Sequence, residues 1–310
     1  MSAPPIVAEL SPSGRREHRR LGSSLLSDYW ALTKPEVNFL ILITTGAGFY
    51  LGCRSELRPF SFVALFNTLL GTLLVASGTG TLNQYIEREF DAQMRRTVRR
   101  PAAAGRLNPA AVLAFGIALA GAGTVYLAAA VNLLASVLAT LTLLTYLFAY
   151  TPLKRRTPLC TLVGAFPGAM PPLIGWAAAA GNLTLQAWSL YALLFLWQFP
   201  HFMAIAWMYR DDYDRAGYLV LPNDGNIRAR VLNCQTLLPL LALTLLSMLP
   251  GLAGGSRTVY SVGASFLSLG FLYYGTRFLL NKSASTARRL LAASIIYLPL
   301  LFLLIAISKD

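Results

Sequence analysis

The stretch Gly71-Thr72-Leu73-Leu74-Val75-Ala76-Ser77-Gly78-Thr79-Gly80-Thr81-Leu82-Asn83-Gln84-Tyr85-Ile86-Glu87-Arg88-Glu89-Phe90-Asp91 runs an apolar segment directly into a ladder of acids. The apolar part belongs to a run over roughly 60–84, enough for a bilayer core, which takes about 20 helical residues. In the polar part Asn83, Glu87 and Asp91 recur at i, i+4 and i+8. On a continuous helix such residues drift only about 40° per step and offer one oxygen ligand per turn over roughly 12 Å.

Working outward, apolar runs of similar length lie at roughly 36–53, 109–130, 132–150, 158–180, 187–209, 230–250, 258–280 and 288–308, so the pattern predicts an all-α bundle of about nine transmembrane helices. The third and fourth separate only near Ala130-Val131-Asn132, and an eight-helix count is the alternative. Pro167, Pro171 and Pro172 must bend or break the fifth helix.

Composition agrees. A mean hydropathy of +0.55, with 55% hydrophobic and 13% charged residues over 310 positions, belongs to polytopic membrane proteins whose main solvent is the lipid bilayer. The formal charge of +13 could suggest nucleic acid, but the basic residues sit in short loops between apolar runs, and topology explains them better. With the N-terminus in the cytoplasm, all of the 26 Lys and Arg residues except Arg54, Arg58, Arg257 and Lys309 fall on the cytoplasmic side. A miscounted helix would scramble that partition.

Residues 1–28 lack the apolar core of a signal peptide, and Glu9, Glu17 and Asp28 have the wrong charge for an organellar presequence. They read as a disordered cytoplasmic tail ahead of a single transmembrane domain over 29–310. The short tail suits a bacterial inner membrane. Cys53, Cys160 and Cys234 are too scattered for a disulfide framework or a zinc site.

A second acidic cluster, Asp211-Asp212-Tyr213-Asp214, closes the sixth apolar run, and the two clusters hold six of the 13 acids. Negative charge is unfavourable at a helix C-terminus, and a bound cation would reverse the penalty. Hard cations such as Mg²⁺ take oxygen ligands, and substrate phosphates complete their shells. The alternative is plain pairing, with Arg88 and Arg95 at the first cluster and Arg210 and Arg215 at the second. Arg95, Arg96, Arg99 and Arg100, then Lys154, Arg155 and Arg156, and Lys34 ahead of Pro35, are suited to phosphate oxygens or to membrane anchoring. His201 would lie about 16 Å deeper than Asp212 on nearly the same helix face, either as a functional group or satisfying a carbonyl freed by Pro200.

These residues resemble the UbiA-type intramembrane prenyltransferase family with its Asn-x-x-x-Asp-x-x-x-Asp motif, specifically its protoheme IX farnesyltransferase (heme O synthase) branch. The likeness rests on Asn83–Asp91, on Met94-Arg95-Arg96-Thr97-Val98-Arg99-Arg100-Pro101, and on Tyr150-Thr151-Pro152-Leu153-Lys154-Arg155-Arg156-Thr157. It continues in Gly168-Ala169-Met170-Pro171-Pro172-Leu173-Ile174-Gly175-Trp176, in Trp197-Gln198-Phe199-Pro200-His201-Phe202, and in Asp212-Tyr213-Asp214-Arg215-Ala216-Gly217 through Leu221-Pro222. It covers residues 28 to 230, and the last three helices match only by hydropathy. Glu87 replaces the usual Asp, and Ala216 stands where a second Asp-x-x-x-Asp would end.

The resemblance implies helices bundled around a central cavity, with farnesyl diphosphate and heme b as substrates, heme O as product and heme A synthase as a partner. It implies Mg²⁺ held by Asn83, Glu87, Asp91, Asp211 and Asp212, with Asn83, Glu87, Asp91 and Asp212 catalytic. Lys34, Arg96, Arg100, Lys154 and Arg155 would bind diphosphate, and His201 the heme. The alternatives are an aromatic-acid or quinone-precursor prenyltransferase of the same fold and, in another class, a transporter or membrane scaffold. A transporter site belongs at the bilayer midplane, whereas these acids lie at the rim.

Overall fold

The structure, a computed structural model, describes residues 24–53, 60–249 and 257–308, and every regular element among them is helical. We number them α1 (Leu25–Leu32), α2 (Pro35–Gly52), α3 (Phe62–Asp91) and α4 (Pro109–Ala130), then α5 (Leu133–Leu153) and α6 (Cys160–Ala180). There follow α7 (Leu185–Met208), α8 (Arg210–Arg215), α9 (Gly225–Ser247), α10 (Arg257–Leu280) and α11 (Ala284–Ile307). Apart from the short α1 and α8, nine long helices match the nine apolar runs. Seven of them, α3 to α7, α9 and α11, are long and apolar enough to cross a membrane by length and composition.

The uncertain boundary between α4 and α5 is a real break. Val131 leaves helical geometry, and Asn132 caps α5 by accepting from the Ala135 N–H at 2.8 Å. The amide of Asn132 also donates to the Ala177 carbonyl on α6 at 2.9 Å. The prolines interrupt α6 at Ala169, and the Gln198 amide on α7 reaches across to the Ala165 carbonyl at 2.9 Å.

Consecutive long helices pack on one another, α7 also meets α9 and α11, and α11 returns to α2. Close crossings rely on missing side chains. A Cβ at Gly175 on α6 would lie 1.9 Å from the Thr45 carbonyl oxygen on α2, the small-residue contact that lets membrane helices approach. Outward, Phe62, Leu185, Phe266 and Leu280 are each at least 80% exposed, which in water would be an aggregation liability and in lipid is the solvent-facing surface.

One expectation needs correction. Residues 1–23 lie outside the described part, but the supposed tail ends earlier than residue 28, because Ser24 caps α1 and accepts from the Ser27 N–H. Asp28 is buried there and binds the Arg106 guanidinium at 2.9 Å, pinning α1 to the loop after α3. The α3 helix also continues seven residues beyond its apolar run, so the whole acidic ladder is helical.

Candidate active site

At the end of α3 the ladder faces inward: Asn83, Glu87 and Asp91 are buried, whereas Glu89 is exposed and pairs with its neighbour Arg88. The inward groups do not pair with Arg88 or Arg95. Each instead meets a cation or polar group from elsewhere in the chain. Lys34 Nζ donates to Asn83 Oδ1 at 2.8 Å, and Lys154 Nζ to both Glu87 oxygens at 2.8 and 3.0 Å. Arg100 Nη1 lies 2.7 Å from Asp91 Oδ2. The Asn83 amide donates to Glu87 Oε2 at 2.8 Å, linking two rungs.

Local structure aims each cation. Lys34 adopts the left-handed region (φ 54°, ψ 61°) just before Pro35, a conformation costing a non-glycine residue about 1–3 kcal/mol. The turn carrying it is held by Gln84, which donates to the Ala31 and Leu32 carbonyls, and by Asn38, which donates to the Thr33 carbonyl. Lys154 follows a π-helical stretch, Thr145–Tyr150, and Pro152 just beyond it can donate no backbone hydrogen bond. The Thr151 hydroxyl bonds the Tyr146 carbonyl at 2.8 Å and accepts from the Asn83 amide at 3.3 Å. Arg100 lies beyond a turn tied down by the Thr97 hydroxyl on the Asp91 carbonyl.

The electrostatics reflect this crowding. Burial, followed by the Arg100 and Lys154 charges, pushes the Lys34 ammonium pKa down to about 7. Burial also acts against the Lys154 ammonium, but Glu87 more than offsets it and holds that pKa well above the usual lysine range.

The loops after α3, α5 and α8 interlock over the ladder. The Leu219 N–H donates to the Lys154 carbonyl at 2.7 Å, and the Tyr218 hydroxyl donates to Glu87 Oε1 at 3.0 Å. Burial, then the Glu87 charge, raises the Tyr218 pKa. The backbone N–H of Arg96 donates to Asp212 Oδ2 at 3.1 Å, and Arg215 binds the other Asp212 oxygen. Asp212 thus joins the ladder's loop. Asp211 does not: it points outward and sits 3.6 Å from Arg210. Asp214 pairs with Arg228 at 3.1 Å.

Other predicted site residues lie further out. The Arg96 guanidinium rests over the Tyr209 ring at 5.2 Å, so its backbone reaches the acid. Arg155 lies 4.1 Å over Phe90 and lines a cavity of about 510 Å³ together with Glu87, Thr151 and Tyr218. Ile86, Leu147 and Phe148 supply an apolar wall, and Phe148 is 73% exposed.

His201 lies apart, between α7 and α11. Its expected helical register with Asp212 fails because Tyr209 breaks the helix (φ −111°, ψ 21°), while Arg210 turns back to donate to the Trp207 carbonyl at 3.0 Å. His201 Nδ1 is 2.8 Å from Ser294 Oγ, whose own hydrogen goes to the Leu291 carbonyl at 2.6 Å. The contact engages Nδ1 and leaves Nε2 as the ring nitrogen outside it. Trp197 stacks on the ring at 4.7 Å and donates to the Ser294 carbonyl.

Among the described residues no three His, Cys, Asp or Glu side chains converge as a ready metal cage. The donor set nevertheless fits a hard cation that completes its shell with phosphate oxygens, because it is all oxygen and Asp91 Oδ1 is buried without a hydrogen-bond partner. Sequence reasoning missed Tyr218 and Thr151. The only sequence cue near Tyr218 is Gly217, which takes a positive φ of 67° and ends the short α8 turn.

The profile of the UbiA prenyltransferase family matches residues 41–304. The chain belongs to the UbiA prenyltransferase family. Within it the similarity is to a protoheme IX farnesyltransferase of Solibacter usitatus, 47% identical over 92% of this chain and 99% of that one. Among solved UbiA folds, that of a digeranylgeranylglyceryl phosphate synthase superposes with a TM-score of 0.72 at 16% identity, over 91% of this chain and 98% of the other. A UbiA homolog from Archaeoglobus fulgidus, bound to GPP and Mg²⁺, gives 0.60 at 14% identity over 90% and 99%. The family, with the spans, makes this a multi-pass membrane prenyltransferase.

Proposed function

We propose that this chain transfers the farnesyl group of farnesyl diphosphate to a vinyl group of heme b, with addition of water, giving heme O and diphosphate. The observation that carries the reading is the interleaving of the buried ladder with cations: Asn83 with Lys34, Glu87 with Lys154, Asp91 with Arg100. The similarity to protoheme IX farnesyltransferases selects the acceptor. A buried ion pair is weak evidence of stabilisation, and two of them together with a lysine–amide contact on one helix face suit a site that exchanges partners. A diphosphate offers anionic oxygens to Lys34, Lys154, Arg100 and Arg155, while the carboxylates thus released take its counter-ions.

Asn83, Glu87, Asp91 and Asp212 would hold Mg²⁺, which supplies charge neutralisation to the leaving diphosphate. The chain's basic groups act on the same oxygens. They stabilise negative charge as the carbon–oxygen bond breaks and the electron pair leaves with diphosphate. The allylic cation bonds to a vinyl carbon, water adds to the adjacent carbon, and the water's proton is lost. The apolar wall of Ile86, Leu147 and Phe148 excludes water from the cation until the acceptor has reacted.

His201 would contact the heme through Nε2, the ring nitrogen that does not face Ser294, since neutral imidazole suits iron. In an absorption titration with heme b, His201→Ala is expected to lose the Soret shift; an unchanged shift and affinity would sink the assignment. The basic side of the loops is cytoplasmic, the membrane is a bacterial inner membrane, and heme A synthase takes the product. The deciding assay is diphosphate release from farnesyl diphosphate with heme b, with the product's mass. Turnover with 4-hydroxybenzoate instead would favour an aromatic acceptor, and no release from either would point away from an enzyme.

A further inference from the structure

On the same face of the bundle as the acidic ladder, the ends of α10 and α11 enclose a second cavity of about 270 Å³, lined by Tyr273, Tyr274, Arg277, Thr286 and Arg289. The shared level is fixed by Phe278 on α10, whose ring meets Trp207 at the end of α7 edge-on at 6.2 Å. Two guanidinium groups face this space, and neither belongs to an ion pair among the described residues. The sequence explains why. Between Asp224 and Asp310 the chain has no Asp or Glu at all, while Arg277, Lys282, Arg288 and Arg289 cluster around one turn.

The local field worsens the imbalance. Arg277 in the last turn of α10 is well placed against that helix's negative end, but Arg288 and Arg289 stand in the opening turns of α11, whose first turn has no acid. Positive charge there opposes the helix dipole and the neighbouring arginine. Membrane anchoring alone asks for basic residues near the rim and does not ask that two of them converge on a cavity with a hydroxyl-bearing wall. Among the described residues no acid supplies the counter-charge.

We infer that this cavity binds the phosphate head group of an anionic membrane phospholipid, held by the forks of Arg277 and Arg289 with Tyr273 and Tyr274 beside them. Guanidinium forks match phosphate oxygens, and basic pockets between transmembrane helices at the headgroup level suit such lipids. The apolar surroundings favour a lipid over a free anion. On the same two helices Leu280 is 80% exposed, and Phe266, Leu269, Ile295 and Ile296 are each at least 55% exposed, which offers apolar surface for acyl chains. Such a lipid site does not depend on which acceptor is farnesylated.

The test uses the full-length protein in detergent, with retained lipid counted by native mass spectrometry after adding phosphatidylglycerol, phosphatidylcholine or inorganic phosphate. Wild type should retain phosphatidylglycerol in preference to phosphatidylcholine. The Arg277→Gln/Arg289→Gln variant should bind it about tenfold more weakly, while Lys282→Gln/Arg288→Gln, which removes the same charge outside the cavity, should bind as wild type. Equal losses in the two variants would show diffuse surface attraction and overturn the site. So would the absence of a headgroup preference in wild type, a result that needs no variant to fold. Displacement of phosphatidylglycerol by an equal concentration of inorganic phosphate would assign the cavity to a free anion instead.

Discussion

The two acidic clusters look alike in sequence and differ in how they are neutralised. In the first, Glu87 and Asp91 lie inside one long helix, are buried, and take cations from loops nine to 67 residues away, with Tyr218 arriving from 131 residues away. In the second, Asp211 and Asp212 pair with arginines one and three residues distant, on a short separate helix, and Asp214 with Arg228, 14 residues on. Local pairs of this kind are what a solvated chain makes anywhere, and exposed ones are worth at most about 1 kcal/mol. The contacts of Glu87 with Lys154 and Tyr218 exist only because the fold brings separate loops to one place. The contrast separates a built site from a charged rim, and Asp212 is where they touch, through the Arg96 backbone.

The largest effect should come from breaking the ion pair between Glu87 and Lys154, both largely buried. Glu87→Gln strands a buried Lys154 and is expected to lower stability by about 3–5 kcal/mol in detergent unfolding and farnesyl transfer by about 100-fold or more. Glu87→Asp, which keeps the charge, should recover the stability better than the rate. Next, Asp91→Asn should abolish most of the Mg²⁺-dependent turnover without loss of folded protein; full turnover in this variant would refute a metal at the ladder. Asp212→Asn is expected to fall between the regions, reducing the rate by about tenfold through misplacement of the Arg96 loop. Asp211→Asn should change neither rate nor stability by more than about twofold. A large effect there would erase the distinction drawn between the clusters.

Much of the fold was legible because the bilayer imposes one length and one satisfied backbone on every span. All nine apolar runs are helices, and Asn132 could be read as a cap as easily as a gap. The ladder's one-face geometry followed from spacing alone. Its partners did not, because nothing local links Lys34 to Asn83 or Tyr218 to Glu87. Asp28 was misread for the same reason: a carboxylate in a polar N-terminal stretch gives no sign that Arg106, 78 residues on, will bury it. The break at Tyr209 was equally hidden, since Arg210 capping a carbonyl of its own helix leaves the apolar pattern intact.

The π-helical stretch at Thr145–Tyr150 makes α5 a ruler with one extra graduation. A wider turn of this kind is equivalent to a single residue inserted into an α-helix. Were the same residues wound as ordinary α-helix, Lys154 would swing by about 100° around the axis and move along it by about 1.5 Å. Hydropathy, span length and loop charge would all be unchanged, yet the ammonium would no longer meet Glu87. The phase of one helix, rather than the identity of any residue on it, sets whether the acid has its partner.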